Sequence, residues 1–311
     1  MRWSQVLWVM VMSGTCANTL KIILVNDDGW ATANIRAVYN HLKGAGHHVI
    51  LSAPLENESG TGNLLRVPTS ETTDSYGVFN SSMPGAPSVG FNTSNHCLNY
   101  LAGSPAASAL YGIQVLAPIH FENSSIDLVV SGVNYGNNAG ATFSISGTDG
   151  AAYTSLAVGV PAIAVSGATG TAKSYLDLGG PDDPANVYAN LTALIVSQIA
   201  NGSRVLPVDV GLNINFPSLS SSCRYPSSFQ KSTITGKGRN QNVSTANVAS
   251  LMNGSIVLKN GLHLPTESKK IMHFAIEALG NSSLESEDEV IKHCLTSVSE
   301  FTVVGRNLSD I

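Results

Sequence analysis

At 311 residues the chain is long enough to bury a large core, as one domain or as one domain with an appendage. Its formal net charge is −5, only 12% of its residues are charged, and no basic patch stands out, which argues against a nucleic-acid polymer as partner. No run of eighteen apolar residues occurs, so the sequence offers no membrane span and no membrane partner is expected.

The first residues read as a leader. Arg2 supplies a positive start, Val6 to Met12 a short apolar run, and Thr15-Cys16-Ala17 a small-x-small cleavage pattern. A signal peptide over 1–17 is therefore expected, and its removal leaves 15 basic and 21 acidic residues, a net of −6. Ten Asn-x-Ser/Thr sequons agree with a secreted glycoprotein: Asn57, Asn80, Asn92, Asn123, Asn190, Asn201, Asn242, Asn253, Asn281 and Asn307. Medium, cell wall and vacuole are all compatible destinations. Cys97, Cys223 and Cys294 remain after cleavage, enough for one disulfide and one free thiol, with the pairing left open. No clustered Cys/His spacing suggests zinc.

In chain order, Leu20 to Val25 is a buried strand that stops in Asn26-Asp27-Asp28-Gly29. A helix follows, with Ile35, Val38, Tyr39 and Leu42 on one face and Gly44 and Gly46 at its end. His48 to Ala53 is a second strand, and a polar loop runs from Glu56 to Asn63. Residues 64–100 read as irregular with strand-like pieces. Ser104-Pro105 opens a helix to about Val115, with Ser as cap and Pro at the first position. Ile126 to Ser131 is a strand, 132–142 a Gly/Asn-rich loop, Ser146 to about Val158 an Ala-rich helix, and Pro161 to Ser166 the next strand. A helix over 184–200 and a strand over 210–216 complete the βαβ rhythm, which argues for a doubly wound, mostly parallel sheet. A core over 18–217 is thus expected, then an extension over 218–311 with hairpins across 218–270. Ser286-Glu-Asp-Glu289 is a capping box, opening a helix with Val290, Ile291, Cys294 and Val298 on one side, before a last strand at Phe301 to Val304.

Four polar clusters fall at one predicted edge of this sheet: Asn26 to Gly29, Ser59 to Asn63, Ser131 to Asn138, and Ser146-Gly147-Thr148. Ligands in open α/β sheets bind beyond the carboxyl ends of the strands. Each cluster alone is equally consistent with a surface turn or a plain helix cap. Together they offer carboxylates, amides and hydroxyls, an all-oxygen set that suits a hard divalent cation. The Ser-Gly-Thr helix start adds N–H groups and hydroxyls for an anion. A hard cation beside an anion nest is a place to hold a phosphoryl group.

The combination of Asn26-Asp-Asp-Gly29, Ser52-Ala-Pro54, Ser59-Gly60, Ser131-Gly132 with Asn134, Ser146-Gly-Thr148 and Gly159-Val-Pro-Ala-Ile-Ala164 resembles the SurE family over about residues 20–216. These are metal-dependent phosphatases of nucleoside monophosphates and other phosphomonoesters, and the chain looks most similar to the secreted fungal acid phosphatases among them. The resemblance implies a SurE-like, Rossmann-like α/β fold of three αβα layers with a C-terminal β-hairpin extension. It implies Asp27, Asp28, Ser59 and Asn134 as ligands of one divalent ion, Mg²⁺ or Mn²⁺ ahead of Ca²⁺. It implies Asn63, Asn138, Ser146, Gly147 and Thr148 as the phosphate site. Chemistry would follow from a cation-activated water, with Asp27 or Asp28 accepting its proton. A small phosphate monoester is the expected substrate, whether a nucleoside 5'-monophosphate or a broader range. A homodimer or larger homo-oligomer is the expected assembly, with contacts through 218–270.

The chain also departs from the family pattern. Asp149 stands where relatives carry an apolar residue and reads either as a proton donor, as a charge that weakens phosphate binding, or as an Asp favoured in a first helical turn. Ala107 replaces a usual Asp, and His263 is the nearest positional substitute for the family's C-terminal acid residue. The Asn57 sequon ends in Ser59 itself, so Asn57 is expected to be unmodified or turned outward. No Arg-His-Gly, Asp-x-Asp, Gly-x-Ser-x-Gly, P-loop or Gly-x-Gly-x-x-Gly motif supports another phosphatase, esterase or nucleotide-binding design. The competing readings are a metal- and phosphate- or nucleotide-binding glycoprotein with little turnover, and a structural cell-surface glycoprotein.

Overall fold

A computed structural model describes residues 18–201, 206–207, 210–226, 228–234 and 285–302. The leader, most of the expected hairpin region, His263 and the sequons Asn242, Asn253, Asn281 and Asn307 lie outside these residues.

The elements are β1 (Lys21–Val25), α1 (Ala33–Gly44), β2 (His48–Pro54), β3 (Val89–Asn92), β4 (Asn95–Leu101), α2 (Pro105–Tyr111), α3 (Ala117–His120), β5 (Leu128–Tyr135), α4 (Gly147–Ala157), β6 (Ala162–Gly167), α5 (Pro184–Asn201), β7 (Val210–Phe216), β8 (Phe229–Lys231), α6 (Glu287–Val290) and β9 (Thr296–Thr302). They build a nine-stranded sheet in the order β3-β4-β2-β1-β5-β6-β7-β9-β8. The run β4-β2-β1-β5-β6-β7 is parallel, while β3 and β9 pair antiparallel to its two edges.

Strand β1 shows why the sheet is sandwiched. Ile22 and Leu24 pack into the cluster formed with α1 and α5, whereas Ile23 and Val25 pack into the cluster formed with α2 and α4. Alternate side chains point to opposite faces, and both faces are covered by helices, so all four are fully buried. Strand order reverses between β1 and β5, and that reversal is the crevice where α/β sheets bind ligands.

Several expectations need correcting. The loop expected over 132–142 begins as strand: β5 runs on to Tyr135 because Gly132, at φ +122°, lets the ladder shift register between Ser131 and Asn134. A Cβ at Gly132 would lie 2.1 Å from the Val165 carbonyl oxygen, so only glycine passes there. The region 64–100 contributes β3 and β4, and β4 is a full parallel member of the sheet. The helix from Ser104 does not stop near Val115 but continues through one wide π turn, Gly112–Leu116, into α3.

The C-terminal elements differ most. The capping box holds, since Ser286 Oγ accepts from Glu289 N–H, but α6 ends at Val290 and a single 3₁₀ turn follows. Cys294 sits at φ +60° and closes a disulfide with Cys223, which ends the helix and turns the chain back along β7. Val298 therefore lies on β9, which starts at Thr296 rather than Phe301. Cys97 is the free cysteine among the described residues.

Candidate functional site

Asn26 builds the turn after β1. Its side chain accepts from Gly29 N–H at 3.2 Å and donates to the Gly29 carbonyl at 3.2 Å and to Thr32 Oγ1 at 3.3 Å. Gly29 is required at φ +104°, where a Cβ would come within 2.7 Å of Val78 Cγ1. This turn aims Asp27 and Asp28 across the β1/β5 crevice, and both are buried.

Asp27 is held from α4. Thr148 Oγ1 donates to Asp27 Oδ1 at 2.7 Å and Thr148 N–H to Oδ2 at 3.2 Å. Gly147 lies so close that a Cβ there would meet Asp27 Cβ at 2.8 Å and Oδ2 at 3.0 Å. Asp28 is held from β5 and from the loop after β2: Tyr135 N–H donates to Oδ2 at 3.1 Å, and Asn57 Nδ2 to Oδ1 at 3.4 Å. Asn134, beside Tyr135, donates its amide NH₂ to the Gly136 carbonyl at 2.8 Å and the Tyr135 carbonyl at 3.3 Å.

The electrostatics favour a cation. Burial pushes the Asp27 carboxyl up, against the Thr148 hydroxyl and nearby N–H groups that pull it down. Asp28 is pushed well above the usual carboxylate range by burial and then by the charge of Asp27. A positive ion relieves both costs. Among the described residues no three His, Cys, Asp or Glu side chains form a metal cluster. Any ion here would rest on two carboxylates and neutral oxygens, the hard-donor set that suits Mg²⁺, Mn²⁺ or Ca²⁺.

The sequence-based candidates divide by place. Asp27, Asp28, Gly147 and Thr148 are in direct contact, and Asn134 joins them through its neighbour Tyr135. Ser146 caps α4, its Oγ accepting from Asp149 N–H at 3.1 Å. Asn63 is brought to the start of α4 because Gly150 packs on the loop: a Cβ at Gly150 would lie 2.0 Å from the Gly62 oxygen and 2.6 Å from Asn63 N. Asn138 sits one strand across, its Nδ2 donating at 2.9 Å to Ser166 Oγ, and Ser166 is the ladder partner of Asn134. Ser59 stands on the exposed rim, its N–H donating to Asn57 Oδ1, and no hydrogen bond joins its hydroxyl to either Asp.

Asn57 is an exposed residue whose amide turns in toward Asp28, so of the two outcomes expected for this sequon the outward-turned one is not seen. Asp149 does stand in the first turn of α4, but it is buried there, and burial pushes its carboxyl well above the usual range, with the charges of Glu287 and Asp27 adding to the rise against a pull from Ser146. Burial thus disfavours a full negative charge at this position next to Thr148.

Sequence reasoning missed the polar layer behind the nest. Asn215 Oδ1 accepts from Asn138 N–H at 2.8 Å, and Asn213 Nδ2 donates to the Asn138 carbonyl at 3.2 Å. Asn213 also reaches Glu287 Oε1 at 3.0 Å, while Glu287 Oε2 accepts from Gly140 N–H at 3.1 Å. The two Asn residues alternating in Val210-Gly-Leu-Asn-Ile-Asn-Phe216 were the available signal, since polar side chains in a central strand need buried partners.

The family model described as "Survival protein SurE" matches residues 22–243. A Yarrowia lipolytica protein described as "Acid phosphatase" is 38% identical over 203 residues, covering 63% of this chain and 56% of that protein. A Lawsonia intracellularis "5'-nucleotidase SurE" is 31% identical over 201 residues, covering 65% and 67% of the two chains. The matched segment thus spans little more than half the length of the first relative and about two thirds of the second. The crystal structure of the SurE protein from Aquifex aeolicus superposes with a TM-score of 0.58, covering 93% of this chain and 96% of that one at 20% identity, a likeness of fold.

Proposed function

Because the chain belongs to the SurE family, we propose that it is a secreted, divalent-metal-dependent phosphatase of phosphate monoesters. The observation that carries this reading is the contact of Asp27 with Gly147 and Thr148, which seats an acidic cation site directly against the start of α4.

A hard divalent cation held by Asp27, Asp28 and Asn134 would supply Lewis-acid polarisation of the phosphoryl oxygens and a water of lowered pKa. The chain's own groups do the rest. Ser146, Asn63 and Asn138, gathered around the α4 start, would receive the phosphate oxygens and fix their orientation, while the Thr148 N–H is given to Asp27 and the Asp149 N–H to Ser146. Thr148 and Tyr135 hold the two carboxylates in place, so that either can accept a proton without reorganising. Ser59, on the exposed rim two residues from Asn57, is the remaining hydroxyl that would complete the cation's oxygen donors. The relatives described as acid phosphatase and 5'-nucleotidase support a phosphomonoester as substrate. The leader and the sequons support secretion and glycosylation; Asn80, Asn123, Asn190 and Asn201 stand exposed.

The direct assay is release of p-nitrophenol from its phosphate ester at pH 5–7, with Mg²⁺ or Mn²⁺ against EDTA. Activity should require the ion and disappear in Asp27→Ala. Full turnover in EDTA, or full activity in Asp27→Ala, refutes the mechanism. Metal-dependent phosphate binding without turnover would identify a binding protein instead.

A further inference from the structure

Glu287 is the feature that the proposed chemistry leaves unused. It lies beyond residue 243, where the family match ends, on a one-turn helix that precedes the edge strand β9. Yet its side chain has no exposed surface. Burying a carboxyl costs less where its oxygens find donors, and Glu287 finds them in two separate parts of the phosphate-binding edge.

One oxygen accepts from Gly140 N–H at 3.1 Å, at the base of the loop that follows Asn138. The other accepts from Asn213 Nδ2 at 3.0 Å, and the same amide donates to the Asn138 carbonyl at 3.2 Å. Asn138 is thereby gripped at three points: its N–H by Asn215, its carbonyl by Asn213, and its side-chain NH₂ by Ser166. Burial raises the Glu287 carboxyl to about 8, against the pull of Ser299, Gly140 and Asn213, and Asp288 adds to the rise. On the other side it lies close enough to Asp149, next to Thr148, to raise that carboxyl whenever Glu287 is ionised.

Position explains the arrangement. Parallel β5 and β7 end at the same edge of the sheet, and antiparallel β9 begins there. The Cys223–Cys294 disulfide ties the loop after β7 to the turn before β9, which fixes α6 behind the loop 136–140. The C-terminal segment is thus a wall of the anion nest and not a remote appendage.

We propose that Glu287 is a positioning residue for substrate phosphate: through Gly140 and Asn213 it sets the loop 137–140 so that Asn138 is presented to the anion. It does not touch substrate or cation. The proposal rests on the reading of Asn138 as a phosphate ligand.

The test uses the full secreted chain and inorganic phosphate as probe, with calorimetric binding in saturating Mg²⁺ alongside steady-state kinetics on p-nitrophenyl phosphate. Glu287→Ala should weaken phosphate binding about tenfold and raise KM similarly, while the Mg²⁺ concentration for half-maximal activity stays within about twofold. Glu287→Gln, which keeps one acceptor, should fall between Ala and wild type. A purely structural role would lower Tm but leave phosphate affinity of the folded protein unmoved. Should Glu287→Ala fail to fold, Glu287→Gln and Asn213→Ser carry the same measurement. Wild-type phosphate affinity in folded variants overturns the proposal and leaves the phosphatase reading standing. Wild-type protein that binds phosphate without turnover overturns the phosphatase reading, and Glu287 is then judged by the binding shift alone. Wild-type protein that binds no phosphate overturns both.

Discussion

Thr148 donates its hydroxyl to Asp27 at 2.7 Å across 121 residues of chain, joining the first turn of α4 to the tip of β1. This bond orients one carboxylate, and its loss leaves a buried oxygen short of a donor. Thr148→Val should cost about 1–3 kcal/mol of stability and lower kcat by more than tenfold. Chemical denaturation and steady-state kinetics read the two effects. An active Thr148→Val enzyme would show that Asp27 needs no such anchor.

Asp28 faces a different trade. Its carboxylate is buried beside that of Asp27, and the two repel when no ion lies between them. In EDTA, Asp28→Asn should be as stable as wild type or more stable, while the rise in Tm on adding Mg²⁺ shrinks and turnover is lost. Thermal melts with and without the ion test this, and an undiminished Mg²⁺ shift would remove Asp28 from the ion's ligands.

Glu287 makes stability depend on pH with a definite sign. Its carboxyl is raised from 4.5 to about 8 in the folded chain. Between those values the native state binds a proton that the unfolded state lacks, so stability falls as pH rises. The contribution is complete below about pH 4.5 and lost as pH passes through about 8, a change on the order of a few kcal/mol. Glu287→Gln should flatten this slope in denaturation curves taken from pH 4.5 to 8; an unchanged slope would assign it to other groups.

The Cys223–Cys294 disulfide spans a separation of 71 residues, and removing it should cost about 2–5 kcal/mol. Because it also fixes α6, Cys223→Ser should raise KM for p-nitrophenyl phosphate. Equal Tm and KM in oxidised and reduced protein would show that the wall behind Asn138 stands without it.

Asn57 Nδ2, the atom a glycan would occupy, lies 3.4 Å from Asp28 Oδ1. Asn57 is exposed like Asn80 and Asn190, so accessibility alone does not separate them; peptide mapping of protein expressed through a secretory route should find Asn57 unoccupied while Asn80 or Asn190 carry sugar. A fully occupied Asn57 in active enzyme would mean that the loop 56–63 turns away from the site.

Much of this was legible in the residues. The apolar run Leu20 to Val25 and its abrupt stop at Asn26-Asp27-Asp28-Gly29 located the first strand and its acidic tip. Alternating helices and strands specified a parallel sheet, and Ser146 was readable as the cap of α4. These are local signals, set by side-chain period, caps and turn residues within a few positions of one another. The C-terminal segment was misread for the same reason. Ser286 to Val298 carries a helix pattern locally, but the edge of β7 and the bond to Cys223 pull it into a turn and a strand.

The amino-acid sequence by itself determined the layered α/β core and the ends of the strands where ligands gather, because burial periodicity and turn chemistry are written in consecutive residues. Only the tertiary structure decided that Asn57 faces Asp28, that Asp149 is buried, and that Glu287 stands behind Asn138. Those facts arise from contacts between segments tens to well over a hundred residues apart. A polar residue announces its chemistry in the sequence, but its partner, and hence its charge and its task, is chosen by the packing.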